Sequence, residues 1–246
     1  MVKEYNRVVV EYSNGITEVK DYSQYMRTGY QRKTEKVSRH CRLNTLGRKK
    51  NCRKFNPENV QKNIFRAKNK IRMLCNHNQA LFKSFITLTF AQYYGEEDIE
   101  ETNYIFKKFV QRLRYQYPNF EYIAVPELQK SGRVHYHVIS SLEHIPYNVL
   151  ENIWSYGFID IQPIDVLHHV SGYLTSYIEK DFGKAFPGRK HFYYSRGLKM
   201  PEVKKIDSQK DSTNYDINNL SYQSKVENAY CGIIHTKIYD ENFSWE

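Results

Sequence analysis

The hydrophobic and polar positions follow two rhythms along the chain. Residues 8–20, VVVEYSNGITEVK, place strand-forming residues on both sides of Asn14-Gly15, the strongest short-range hairpin signal. The period then changes. Val60, Ile64, Ala67, Ile71 and Leu74 recur at helical spacing behind an Asn56-Pro57 start signal, which predicts an amphipathic helix over 57–75. SFITLTF (84–90) is β-branched and aromatic and predicts a strand. Residues 96–116 start acidic, end basic and repeat Ile99, Phe106, Phe109, Val110 and Leu113. That predicts a helix whose charges suit its dipole, with Pro118 ending it. FEYIAVPEL (120–128) and RVHYHVISSL (133–142) read as two strands around Lys130-Ser131-Gly132. A short helix over 146–155, a strand over 156–164, a helix over 165–182 and a strand over 191–199 follow. Residues 205–229 are polar and predict loop or linker, and CGIIHTKIY (231–239) predicts an edge strand.

Strands and helices in this mixed order predict an α+β fold, an antiparallel sheet with helices packed on a face. The expected divisions are a basic N-terminal extension with a hairpin (1–55), a main domain (56–204), and a polar linker with a C-terminal edge segment (205–246). Aromatic residues make up 15% of the 246, with 22 tyrosines among them, which argues against disorder. No apolar run approaches the roughly 18 residues of a membrane helix. The first residues lack a secretory pattern, so no membrane partner is expected. Cys41, Cys52, Cys75 and Cys231 stand far apart without a C-x-x-C pair, which suits a reducing, cytoplasmic setting. Their spacing to His40 and His77 fits no zinc finger.

Charge changes the picture. The net charge is +10, and residues 1–80 hold 19 Lys+Arg against 6 Asp+Glu, while residues 81–246 hold 18 against 21. An excess confined to the first third suggests a polyanionic partner, nucleic acid first. Residues 27–54 read as an irregular basic arm, and Lys62, Arg66, Lys70 and Arg72 line the polar side of the predicted helix as candidate DNA contacts.

The candidate chemistry centres on His135-Tyr136-His137. Residues i and i+2 of a strand share a face, so both imidazoles leave one side together. A three-residue loop at 130–132 ending in Gly132 sets Glu127 opposite His135, on that same side. A Glu-His-His set leaves open positions and suits Mg²⁺ or Mn²⁺ with phosphate oxygens as further ligands. Downstream, Tyr173, Tyr177 and Lys180 fall on one face of a helix. Such a pair of aromatics also suits ordinary core packing. A phenol, with a free pKa of about 10, needs a nearby cation or an activated electrophile to act as a nucleophile. His144, His168 and His169 have no partners at ligand spacing.

FITLTF, PELQKSGRVHYHVI and YLTSYIEK, in that order, resemble the three motifs of the HUH endonucleases. The resemblance is closest to the rolling-circle replication initiators of bacterial plasmids and single-stranded phages, and it covers about 84–199. It implies an RRM-like antiparallel sheet with the H-x-H strand central. It implies His135, His137 and Glu127 as metal ligands, Tyr177 as nucleophile, Tyr173 as the second tyrosine and Lys180 as the lysine of the tyrosine motif. Thr87 and Thr89 lie in the first, mainly structural motif, and Arg196 of SRGL (195–198) is a candidate phosphate contact. The implied activity is metal-dependent, site-specific nicking and strand transfer on single-stranded DNA through a 5′-phosphotyrosine, initiating rolling-circle replication. The implied partners are single-stranded or hairpin origin DNA and a host helicase and polymerase. A tyrosine transposase of the same superfamily and a non-catalytic RRM-like nucleic-acid binder are the alternatives. No Walker motif is present, so no fused helicase is expected.

Overall fold

The computed structural model describes residues 3–28, 57–94, 98–143, 145–164, 170–178 and 190–242. Its chain divides into two compact units, Met1–Cys52 with Pro201–Glu246, and Arg53–Met200. The basic arm at 29–54, His40, His144, His168, His169 and Lys180 lie outside the described residues.

In the first unit, the Asn14-Gly15 hairpin forms as the sequence predicts, joining β1 (Lys3–Glu11) to β2 (Ile16–Thr28). It is part of a larger sheet. β8 (Glu202–Ile206), β9 (Leu220–Asn228) and β10 (Gly232–Asp240) complete five antiparallel strands in the order β8-β1-β2-β10-β9. The expectation of a linker over 205–229 is therefore corrected, because 220–228 is a strand. The expected edge strand at 231–239 is also corrected: β10 pairs with both β2 and β9, and β9 is the edge. The polar sequence LSYQSKVEN hid β9 because an edge strand with few buried positions needs little apolar patterning. Arg7 on β1 ties this unit together, pairing with Asp21 on β2 and, at 2.8 Å, with Asp211.

The second unit holds β3 (Ser84–Thr89), β4 (Tyr122–Leu128), β5 (Val134–Ser140), β6 (Ile159–Pro163) and β7 (Tyr193–Tyr194). Their order is β6-β3-β5-β4-β7, again antiparallel. The H-x-H strand β5 is central, and all seven of its residues are buried. Of the predicted strand at 191–199, two residues pair with β4. Helices cover both faces of this sheet rather than one. α2 (Ile99–Gln116) and α3 (Tyr147–Trp154) close a core with Leu88, Tyr136 and Val138. Against the other face, α1 (Pro57–His77) and α4 (Val170–Ser176) pack on Phe85, Val125 and Ile139. Double coverage explains why VHYHVIS shows no polar alternation. Tyr136 anchors the first face: its ring stacks on Phe106 at 4.6 Å and its hydroxyl hydrogen-bonds to Asn103 at 2.8 Å.

Gly157 lets β6 meet the end of β3. The Thr89 and Ala91 amides donate to the carbonyls of Phe158 and Tyr156, so the two chains close tightly around residue 157. A Cβ there would sit 2.3 Å from the Thr89 carbonyl oxygen, and its φ of +151° is one that side chains rarely adopt.

Candidate active site

The β4–β5 hairpin sets the site. Its loop closes through Gln129 N–H to Arg133 O (2.9 Å) and Gly132 N–H to Gln129 O (2.8 Å), with Gly132 at φ +80°. This three-residue loop fixes the predicted register, Glu127 opposite His135. Glu127, His135 and His137 therefore share the face covered by α1 and α4, while Tyr136 points to the other. The carboxylate does not engage the imidazole directly opposite. It reaches the diagonal neighbour, with Glu127 Oε2 2.7 Å from His137 Nε2.

β3 supplies the other side of each ring. Thr87 pairs with His137 and Thr89 with His135 in the strand register. Thr87 Oγ1 lies 3.4 Å from His137 Nδ1, and Thr89 Oγ1 lies 3.3 Å from His135 Nδ1. With each Nδ1 turned to a hydroxyl, each Nε2 is the atom left for chemistry. A hydroxyl donates or accepts, so it serves either imidazole tautomer. The histidines are 7% and 5% exposed, low enough that desolvation matters. Burial, and then the neighbouring His137, push the His135 pKa down and favour its neutral, ligating form.

α4 delivers the tyrosines. The helix stops at Ser176, short of the predicted 182, and Tyr177 sits in the turn that follows. The Tyr177 ring stacks on His137 with centroids 3.5 Å apart and planes at 14°. Tyr173 meets Tyr177 edge-on at 5.2 Å and Phe85 at 4.9 Å. Burial, and then the hydrogen bond with Tyr173, push the Tyr177 phenol well above 10.0, so it is protonated at neutral pH. Tyr173 is the more exposed of the two.

Two imidazoles and a carboxylate, with threonine hydroxyls behind them, are the donor chemistry of a divalent-ion site that takes phosphate oxygens as further ligands. Among the described residues, no group of three or more His, Cys, Asp or Glu side chains stands around one point ready to hold a metal. Loading requires the Glu127–His137 hydrogen bond to open, with the cation taking the place of its proton.

The remaining candidate residues are spread. Lys62 and Arg66 are exposed on α1. Lys70 instead donates to the Tyr194 hydroxyl at 2.6 Å and lies over that ring, and Arg72 is half-buried. Arg196 is exposed on a segment clamped at both ends. Ser195 Oγ accepts from Arg114 (3.1 Å) and from the Tyr122 amide (2.9 Å). Three residues beyond Arg196, the Lys199 amide donates to Asn78 Oδ1 (3.1 Å), and Asn78 Nδ2 donates to the Lys199 carbonyl (2.8 Å). Phe85 and Asn78 are the residues that sequence reasoning missed. Phe85 reads as one more strand apolar residue, and Asn78 acts on a segment 121 residues away.

Residues 83–182 match the family model of Replication-associated protein ORF2. The match covers less than half of the chain but runs from β3 past α4, so it spans the histidines, Glu127 and both tyrosines. It links this segment to phage replication proteins. Among solved structures, the hypothetical protein ORF119 from Sulfolobus islandicus rod-shaped virus 1 is 18% identical, with 54% of this chain and 96% of that one covered. Its TM-score of 0.31 is too low to bear on fold or site. The comparison with curated proteins finds no match.

Proposed function

We propose that this chain initiates rolling-circle replication as a metal-dependent, site-specific nickase and strand transferase of single-stranded DNA. The observation that carries this reading is the stacking of Tyr177 on His137 while the same imidazole meets Glu127. A nucleophile, two imidazoles and an acid then share one small volume, and the family match over residues 83–182 points the same way. His135, His137 and Glu127 would hold Mg²⁺ or Mn²⁺, which when bound supplies a positive charge against the scissile phosphate. The Tyr177 oxygen attacks phosphorus in line and gives up its proton, because the phenol starts neutral. The bond to the 3′ oxygen breaks, that oxygen takes up a proton, and a 5′-phosphotyrosine remains. The linkage keeps the phosphodiester energy, so a later 3′-hydroxyl reseals the strand without ATP. Tyr173, one turn away, is placed to act in the second transfer. Lys180 is assigned to the phosphate, and Lys62, Arg66, Lys70, Arg72 and Arg196 to the DNA backbone. The partners are origin DNA, single-stranded or hairpin, and a host helicase and polymerase.

The test incubates the full chain with a pool of labelled single-stranded oligonucleotides and Mn²⁺, with and without EDTA, and locates any covalent adduct by mass spectrometry. A Mn²⁺-dependent adduct on Tyr177, lost in Tyr177→Phe, is expected. An adduct that survives Tyr177→Phe, or one insensitive to EDTA, overturns the assignment.

A further inference from the structure

An open groove of about 870 Å³ lies between α2 and α3, on the side of the sheet away from the two histidines. From α2 it takes Tyr104, Lys108, Gln111, Arg112 and Tyr115, which recur at helical spacing and form one stripe. Tyr156, just beyond α3, faces that stripe. The three rings are 60%, 90% and 40% exposed, an unusual amount of aromatic surface for one groove with nothing packed on it.

Cations alternate with these rings. Lys108 Nζ is 5.4 Å from the Tyr104 ring centre, and Arg112 Cζ is 5.9 Å from that of Tyr156. Arg112 is held by neutral groups, the Trp154 carbonyl at 3.2 Å and Ser155 Oγ at 3.3 Å, which orient its charge without cancelling it. No carboxylate lines the groove among the described residues. Amides at Gln111 and Asn152 add donors and acceptors of the kind base edges pair with.

We infer that this groove binds a stretch of single-stranded nucleic acid. Exposed rings stack on unpaired bases, whereas the bases of a duplex are already stacked on one another. Lys108 and Arg112 meet the phosphates between them. A protein partner fits less well, since the fully buried centre of such an interface is depleted in lysine, and here Lys108 sits between two tyrosines of the stripe. The groove stands apart from the nicking reading: it lies on the other face and needs no reaction. It would hold a strand segment distinct from the one at Tyr177.

The test uses the full chain carrying Tyr177→Phe, in EDTA, so that neither nucleophile nor divalent ion contributes. Binding of fluorescent oligo-dT and oligo-rU is read by anisotropy. Tyr104→Ala combined with Tyr115→Ala is expected to weaken binding about ten-fold or more. Lys108→Glu is expected to weaken it and to lower the salt dependence of the affinity. Comparison of the two oligonucleotides tells DNA from RNA. In parallel, a bromouracil-substituted strand is irradiated with the chain unaltered in the groove, and cross-links are expected at Tyr104, Tyr115 or Tyr156. That map decides the matter even where a variant folds poorly. Unchanged affinity in the double variant, or cross-links confined to the other face, overturns the inference. So does a larger species on sizing that Tyr115→Ala abolishes while DNA affinity stays the same, for then the groove serves a second protein chain.

Discussion

His137 is held by three unlike partners at once: Thr87 behind it, Glu127 at its outer nitrogen, and the Tyr177 ring on its face. Removing the hydroxyl behind a ligating imidazole typically costs ten- to a hundred-fold in metal affinity or activity. Thr87→Val should therefore lower Mn²⁺-dependent cleavage by about that factor, with the thermal unfolding midpoint little changed. Excess Mn²⁺ should restore part of the rate, and a full-rate Thr87→Val would show that the threonine does not position the ring. Backbone geometry sets a second constraint at this scale. Gly157 faces the Thr89 carbonyl with no room for a Cβ, so Gly157→Ala should destabilise the chain by about 1–3 kcal/mol in urea titration. Because Thr89 also backs His135, cleavage should fall with it.

At the scale of elements, the β4–β5 hairpin does the most. A loop one residue longer or shorter would turn Glu127 to the opposite face and away from both imidazoles. Insertion of one glycine after Ser131 should abolish adduct formation while leaving the far-ultraviolet circular dichroism spectrum close to that of the parent. In the other unit, β10 is an inner strand bonded to β2 and β9. A proline there removes a ladder hydrogen bond, so Thr236→Pro should cost about 3 kcal/mol or more. Proteolysis of the β9–β10 hairpin reads that loss directly, and unchanged protease resistance would contradict an inner position for β10.

At the scale of the whole molecule, charge governs binding and acid governs stability. With a net charge of +10 carried in the first third, affinity for single-stranded DNA should fall at least about ten-fold between 50 and 200 mM salt. Fluorescence anisotropy at several salt concentrations measures the slope. Asp211 is buried, which alone would raise its pKa, but hydrogen bonds from Thr213 and Arg7 outweigh that and hold it at about 2. A carboxyl depressed below its free value of 3.8 stabilises the fold only while it is ionised. Its contribution is complete above about pH 4 and fades as the pH falls towards about 2. Asp211→Asn should lower the unfolding midpoint at neutral pH and flatten the curve in that acid window.

The residue order alone determined the Asn14-Gly15 hairpin, α1, α2, the strand at 84–89 and the β4–β5 register, because each rests on local periodicity or turn chemistry. Since the register is local, so is the sharing of one face by Glu127, His135 and His137. What only the tertiary structure decided involves partners distant in the chain. β9 reads as linker because its apolar contacts are few and its ladder partner lies on β10. Glu127 chooses the diagonal His137 over the imidazole directly opposite, a matter of side-chain reach that register does not specify. Phe85 and Tyr177 flank the same imidazole from β3 and from the turn after α4, a meeting that exists once α4 has packed on the sheet.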